Sequence, residues 1–317
     1  MDADATQRAV ARVRSWPAER RRRSNLDLLE PAPLFDIEVA SACNIVCAFC
    51  PRDEMVRPKT LMDDVTFGEV LNFLPENAVA MISGLGDALL HPRLEAMVGR
   101  LVGRGVSTCL ITNGIRLTPN RQAGLIAAGI AEIQVSVHGL DDDTVRQVVP
   151  LGANPKAVRA NLEQLATVQG PRVRINFVET PENAHARDEV RVWAKNLGFR
   201  FFYRRQHTRG GTIGAARADA GCAGCGIFAS VTFLSVEGDV MPCVNDVRGE
   251  GKLGNVREFT WPDVLAWKRR VITQDRWFSA CTDCDDDFRW VLLDQGGLDG
   301  GWTAASAAMI GEHETAS

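Results

Sequence analysis

The chain has no apolar run approaching the roughly eighteen residues that a membrane-crossing helix requires. Its amino terminus also lacks the charged-then-apolar order of a secretory signal. Together these absences predict a cytoplasmic protein with no membrane partner. A basic excess is missing too: 36 Lys and Arg stand against 40 Asp and Glu, for a net charge of −4 and a pI near 5.8. A nucleic-acid groove needs a basic stripe, so no nucleic-acid partner is expected, and a neutral or small polar substrate is. No internal repeat is present.

Cysteine is what the chain does have: nine, and they are clustered. In a reducing compartment such clusters point to metal ligands or redox groups more than to disulfides. Cys43, Cys47 and Cys50 fall in one short segment, Cys-Asn-Ile-Val-Cys-Ala-Phe-Cys, directly after an apolar run. Three thiolates fill three corners of a cubane iron–sulfur cluster and leave one iron open to a small molecule. Structural zinc competes for the same thiols, but it favours paired Cys-x-x-Cys knuckles that supply four closed ligands.

From Leu34 onward, short β-branched runs alternate with amphipathic segments. The pattern predicts strands over 34–39, 79–83, 106–112, 132–137, 172–178 and 199–204, with helices over 64–74, 93–104, 119–128, 155–167 and 186–196. Six β-α units in succession predict an α/β fold, a parallel sheet curled into a partial (β/α)6 TIM barrel with its reactive groups at the carboxyl ends of the strands. The three-cysteine loop follows the first strand, where that architecture places chemistry. Residues 1–33 form a polar N-terminal extension, with the Arg20 to Arg23 run expected on a solvated helical face. Residues 34–205 make the barrel, 206–290 a small C-terminal cluster-binding domain, and 291–317 a disordered tail rich in Gly, Ala, Ser and Thr. Within the small domain, strands over 230–235 and 239–241 are joined by a turn at Gly238, and a helix follows over 261–271.

Cys222, Cys225, Cys243, Cys281 and Cys284 bring five thiols to that small domain. Four of these would fully ligate a second [4Fe-4S] cluster, which points to electron transfer or structure more than to substrate activation. Zinc again competes, because a Cys-x-x-Cys pair suits it. Cys222 is a bystander, an alternative ligand or a hydrogen-atom donor. Cys109, on a predicted strand, reads as a small buried apolar residue.

The spacing of Cys43, Cys47 and Cys50 resembles that of the radical S-adenosylmethionine (SAM) superfamily. The segments Gly238-Asp239-Val240-Met241-Pro242-Cys243 and Gly254-Asn255-Val256, with Trp261, resemble its Twitch and SPASM extensions. Arg209-Gly210-Gly211, the interval between Cys225 and Cys243, and Gly254-Asn255-Val256 together are similar to the 2-deoxy-scyllo-inosamine dehydrogenase family and other radical SAM enzymes of aminoglycoside biosynthesis. Val244-Asn245 departs from the aromatic–acidic pair of that family.

The resemblance implies that SAM chelates the open iron through its amino and carboxylate groups. It assigns Phe49 to the adenine side, and Gly84, Gly86 and Asp87 to the SAM amino group in place of a Gly-Gly-Glu-Pro segment. Asn113, Ser136 and His138 fall at the ribose and methionine carboxylate. Cys225, Cys243, Cys281 and Cys284 would hold the auxiliary [4Fe-4S] cluster, and Arg209 would orient a substrate hydroxyl. The implied activity is reductive cleavage of SAM, with a flavodoxin- or ferredoxin-type reductant, and removal of a carbinol hydrogen from a sugar, aminocyclitol or aminoglycoside to leave a ketone. The alternatives are a sugar or aminoglycoside epimerase with Cys222 as thiol hydrogen donor, and a maturase of a ribosomal peptide.

Overall fold

Leu34–Ile37 (β1) is buried at all four positions, the pattern of a strand covered on both faces. Five further strands follow, each after a helical crossover: Val79–Ile82 (β2), Ser107–Thr112 (β3), Glu132–Ser136 (β4), Arg172–Glu179 (β5) and Arg200–Arg205 (β6). All five neighbouring pairs from β1 to β6 are parallel. The result is a partial (β/α)6 TIM barrel in which strand carboxyl ends share one rim. The computed structural model describes residues 3–29, 33–217, 220–221 and 224–296.

Local chemistry fixes where the helices begin. Ala3–Arg14 (α1) and Ala18–Asp27 (α2) precede the barrel. Asp64–Phe73 (α3) starts where the Asp63 carboxylate accepts the Thr66 N–H, and Leu94–Gly103 (α4) and Pro119–Ala127 (α5) follow. Asp141 caps Asp142–Val148 (α6) in the same way, Asn154 caps Pro155–Leu165 (α7), and Arg187–Asn196 (α8) completes the barrel helices. Downstream lie Gly226–Ser230 (α9), Trp261–Gln274 (α10) with a Thr260/Asp263 capping box, Ser279–Thr282 (α11) and Phe288–Gly296 (α12).

Four features differ from the sequence expectation. The hairpin of Val231–Leu234 (β7) and Asp239–Met241 (β8) builds no separate sheet. β7 pairs parallel with β1, and with β8 and Gly254–Asn255 (β9) it extends one nine-stranded sheet, ordered β6-β5-β4-β3-β2-β1-β7-β8-β9. The open edge of β1 and the complete burial of Val231 to Leu234 account for this. Secondly, α6 is an additional helix between β4 and α7.

The N-terminal extension is packed rather than merely polar: Val10, Val13 and Trp16 are buried, and Arg12 pairs with Asp294 of α12. Arg20, Arg22 and Arg23 do lie exposed on α2. Finally, the tail does not begin at 291, because Val291, Leu292 and Leu293 are buried in α12. The remainder of that tail, 297–317, lies outside the described residues, and so does Cys222.

Candidate active site

The three-cysteine loop leaves β1 and is held by backbone contacts that owe nothing to its thiols. Cys50 N donates to Cys47 O at 3.1 Å, closing a turn across the last two cysteines. Val46 N donates to Leu151 O and Ala48 N to Val148 O, both at 2.9 Å, which pins the loop to the connection between α6 and α7. Gly152, at φ +79°, sits so close that a Cβ would come within 2.4 Å of Asn44 O. Burial raises the Cys43 thiol and pushes Cys47 up to about 12, with the neighbouring cysteines adding to the effect. A metal centre binding here would displace those protons.

Residues from successive strand ends then close around the loop. Glu38, fully buried just after β1, receives two hydrogen bonds of 2.8 Å from Arg57 and one of 3.0 Å from Leu85 N. It thereby fixes the turn after β2, where Gly84 (φ +118°) and Gly86 lie against backbone and Glu38 with no room for a Cβ. Asp87 is buried and accepts from Thr112 Oγ1 and Asn113 N at 2.8 Å and from Leu89 N at 2.9 Å. Burial raises its pKa, and these hydrogen bonds oppose the rise. Asn113 Nδ2 donates to Asn44 Oδ1 at 2.9 Å and lies 3.8 Å from Cys43 Sγ. His138 packs edge-on against Phe49, its ring centroid 5.1 Å away, and burial lowers its pKa to about 4. It is therefore neutral at pH 7, with Nδ1 buried and unpartnered.

A solvent-open cavity of about 220 Å³ is lined by Cys43, Cys47, Cys50, Phe49, Gly84, Gly86, Asp87, Asn113, Ser136, His138 and Arg209. The structure thus brings every sequence-predicted residue of the first site together, Arg209 included. Arg209 reaches it from the segment after β6 in a left-handed conformation, φ 52°. Its Nη1 lies 3.4 Å from Asn245 Oδ1. Burial and the neighbouring Arg204 lower its pKa, while Cys50, Asp286 and Cys47 act the other way.

Behind Arg209 lies the second cysteine set. Burial raises the Cys243 thiol, and Cys281, Cys284 and Cys225 all contribute through space; burial likewise takes Cys284 up to about 12. These four therefore converge, from the start of α9, the end of β8 and the turn of α11. The acidic run that follows ties this set to the barrel rim: Arg204 pairs with Asp286, Arg205 with Asp287 at 2.5 Å, and Arg217 with Asp287 at 2.9 Å. Thr208 N donates to Asp285 Oδ1 at 2.7 Å. Sequence reasoning missed this clamp. Its signal was present in Asp285-Asp286-Asp287 directly after Cys284, facing the arginines that end β6.

The residues fit the groups that such a site implies. A cubane spreads its thiolates over separate irons, and both sets supply soft sulfur donors for it. The cavity beside Cys43, Cys47 and Cys50 adds two acidic groups, two amides, three hydroxyls and an unpartnered imidazole nitrogen for a small polar cofactor.

Comparison with known proteins agrees with this arrangement. Residues 37–192 match the radical SAM superfamily, and residues 225–285 match SPASM, an iron–sulfur cluster-binding domain. The tungsten-containing aldehyde ferredoxin oxidoreductase cofactor-modifying protein of Pyrococcus furiosus is 28% identical over 173 residues, 51% of this chain and 48% of that protein. The chain therefore matches about half the length of this curated relative. Among solved structures, BtrN in complex with AdoMet and 2-DOIA superposes with TM-score 0.56 at 18% identity, covering 81% of this chain and 94% of that one. Streptococcus suis SuiB bound to precursor peptide SuiA gives TM-score 0.63 at 15% identity, over 84% and 72%. At such identities these two likenesses concern the fold. The two domains imply SAM, a SAM-binding [4Fe-4S] cluster and auxiliary iron–sulfur ligation. This chain is a radical SAM superfamily protein with an auxiliary iron–sulfur cluster-binding domain behind its barrel.

Proposed function

We propose that the protein oxidises a carbinol of a small carbohydrate-type substrate, a sugar, aminocyclitol or aminoglycoside, to a ketone. The observation that carries this reading is the place of Arg209: its side chain lines the cavity of the three-cysteine loop, while its segment is clamped to the acidic run beside Cys284. A substrate lying against Arg209 sits between the two cysteine sets, as loss of a hydrogen atom on one side and an electron on the other requires.

Cys43, Cys47 and Cys50 would hold the first [4Fe-4S] cluster, and Cys225, Cys243, Cys281 and Cys284 the auxiliary one. When bound, SAM and the clusters supply the redox chemistry: reductive SAM cleavage and hydrogen-atom abstraction at the first, acceptance of the substrate's remaining electron at the second. The chain's own part is to position the carbinol and to exclude water. Asp87, Asn113 and Ser136 present acceptors and donors to SAM, and Phe49 with Val178 walls one side. Arg209 Nη1 directs the substrate hydroxyl and favours its ionised form, and that proton leaves to solvent. One hydrogen atom, one proton and one electron together account for the ketone.

The test is anaerobic reconstitution to about eight irons per chain for two cubanes, followed by incubation with SAM, reductant and candidate polyols. The expected product is lighter than substrate by a pair of hydrogens, with one substrate hydrogen recovered in 5′-deoxyadenosine. A product of unchanged mass would replace dehydrogenation by epimerisation. A peptide maturase is a second reading, supported by the fold shared with SuiB bound to its precursor peptide. Hydrogen transfer from a peptide, with none from any polyol, would decide for it.

A further inference from the structure

Lys268 of α10 is 1% exposed and among the largest fully buried side chains of the protein. Its Nζ donates to Val231 O at 2.7 Å, and no carboxylate pairs with it among the described residues. The Phe228 ring lies 5.6 Å from Nζ, and Trp267, Trp277 and Phe278 pack on that ring with centroids 5.4 to 5.7 Å away. A carbonyl and an aromatic face are partial partners. An ammonium buried in so apolar a place calls for a full negative charge nearby.

The auxiliary cysteines can supply it. Phe228, whose ring faces Lys268, also donates its backbone N–H to Cys225 Sγ at 3.4 Å, and Phe278 of the same aromatic group accepts from Cys281 N at 2.9 Å. Burial lowers the Lys268 pKa to about 7, and Cys225 acts against that fall. The other charges beside these cysteines are already engaged with the chain. Asp286 faces Cys284 but pairs with Arg204 and lies 3.7 Å from His207, while Arg289 Nη1 donates to Cys284 O. A cubane held by four thiolates is anionic when oxidised and gains one further negative charge on reduction. A fixed cation in a medium of low dielectric therefore stabilises the reduced form more than the oxidised one.

We propose that Lys268 holds its ammonium against the auxiliary cluster of Cys225, Cys243, Cys281 and Cys284 and raises the reduction potential of that cluster, which favours uptake of an electron over its release. Lys268 ligates nothing and acts through space. The proposal deepens the carbinol-oxidation reading and rests on it for the direction of electron flow.

A redox titration tests this without turnover. Holoprotein containing both clusters is reduced stepwise without air, in the presence of mediators, and followed by electron paramagnetic resonance. The signal that added SAM leaves unchanged belongs to the auxiliary cluster. Lys268→Met should make one-electron uptake there about tenfold or more weaker, a midpoint lower by about 59 mV, while the SAM-responsive signal keeps its midpoint. Lys268→Gln keeps a donor for Val231 O and removes the charge, so it should give the same shift at the parent's iron content. A shift in Lys268→Met that Lys268→Gln lacks would trace the effect to the hydrogen bond and overturn the proposal. Unshifted or raised auxiliary midpoints, or both clusters shifting together, would overturn it as well. Loss of the auxiliary signal from both variants would make Lys268 a structural residue only, and a parent showing the SAM-responsive signal alone would remove the auxiliary cluster and the proposal with it. A lowered midpoint in a protein that oxidises no polyol would leave the charge effect standing and count against dehydrogenation alone.

Discussion

Asp36 and Glu38 lie two residues apart around the end of β1 and both are buried, yet their surroundings treat them differently. Glu38 accepts two hydrogen bonds from Arg57, and the pair clamps the Gly84 to Asp87 turn from below. Removing one partner of such a pair strands the other in the interior, at roughly 3–5 kcal/mol. Among the described residues Asp36 has only Ser83 Oγ as a hydrogen-bond donor, at 2.5 Å, and burial takes its carboxyl up to about 7 despite that bond. An acid whose pKa is raised by folding stabilises the fold through its bound proton. The contribution is complete below the unfolded value near 4 and is lost as pH climbs through about 7. Asp36→Asn stays neutral throughout. Its melting temperature relative to the parent should therefore rise between about pH 4 and pH 7 and level off above, by an amount corresponding to at most about 4 kcal/mol. A gap that is constant across that range would show that Asp36 is already ionised in the fold.

At the level of elements, the N-terminal helices are structural parts of the cluster domain. Asn25 of α2 is fully buried, its Nδ2 donates to Arg21 O at 2.7 Å, and its Oδ1 accepts from Cys225 N at 3.0 Å. The cysteine that opens α9 is thus oriented by a residue 200 positions earlier. Asn25→Ala leaves that N–H without its acceptor, at about 1–3 kcal/mol, and should speed chelator-driven bleaching of one cubane's worth of iron while the other is unaffected. Equal rates in variant and parent would separate α2 from the cluster. Nothing in a run of Arg and Asn announces this contact, because it depends on a partner distant in sequence.

The barrel strands and their helices were legible, since periodicity and caps such as Asp63 and Asn154 act locally. The cysteine loop stood out by its spacing, whereas the residues at successive strand ends were assigned through the family resemblance, and they line one cavity with the loop. α12 was hidden by the Gly-rich sequence beyond it, although Trp290 to Leu293 form an apolar block. The place of β7 beside β1, and the grip of Asp285 to Asp287 on the β6 rim, depend on which edges and charges remain free once the barrel has formed. Only the assembled structure shows that.

Across the whole molecule, the continuous sheet decides how the two functional halves cohere. β7 runs parallel to β1 over four residues, and Glu38 N donates to Leu234 O at 2.9 Å just beyond them. On the barrel side, Phe35 is fully buried against Trp261 of α10, ring centroids 5.0 Å apart. A chain cut after Arg205 would therefore lose more than an appended domain. It would expose the hydrogen-bonding edge of β1, the strand that carries Glu38 and launches the cysteine loop, together with the apolar face that α10 covers. Unpaired, apolar edges aggregate, and the remaining five strands cannot re-cover β1 from the other side because β2 already occupies it. The fragment 1–205 should accumulate as insoluble protein or show no cooperative melt, whereas the full chain should unfold in one transition by both near- and far-ultraviolet circular dichroism. A soluble fragment that melts cooperatively, or two resolved transitions in the full chain, would mean that the halves are independent and that the shared sheet contributes little to either site.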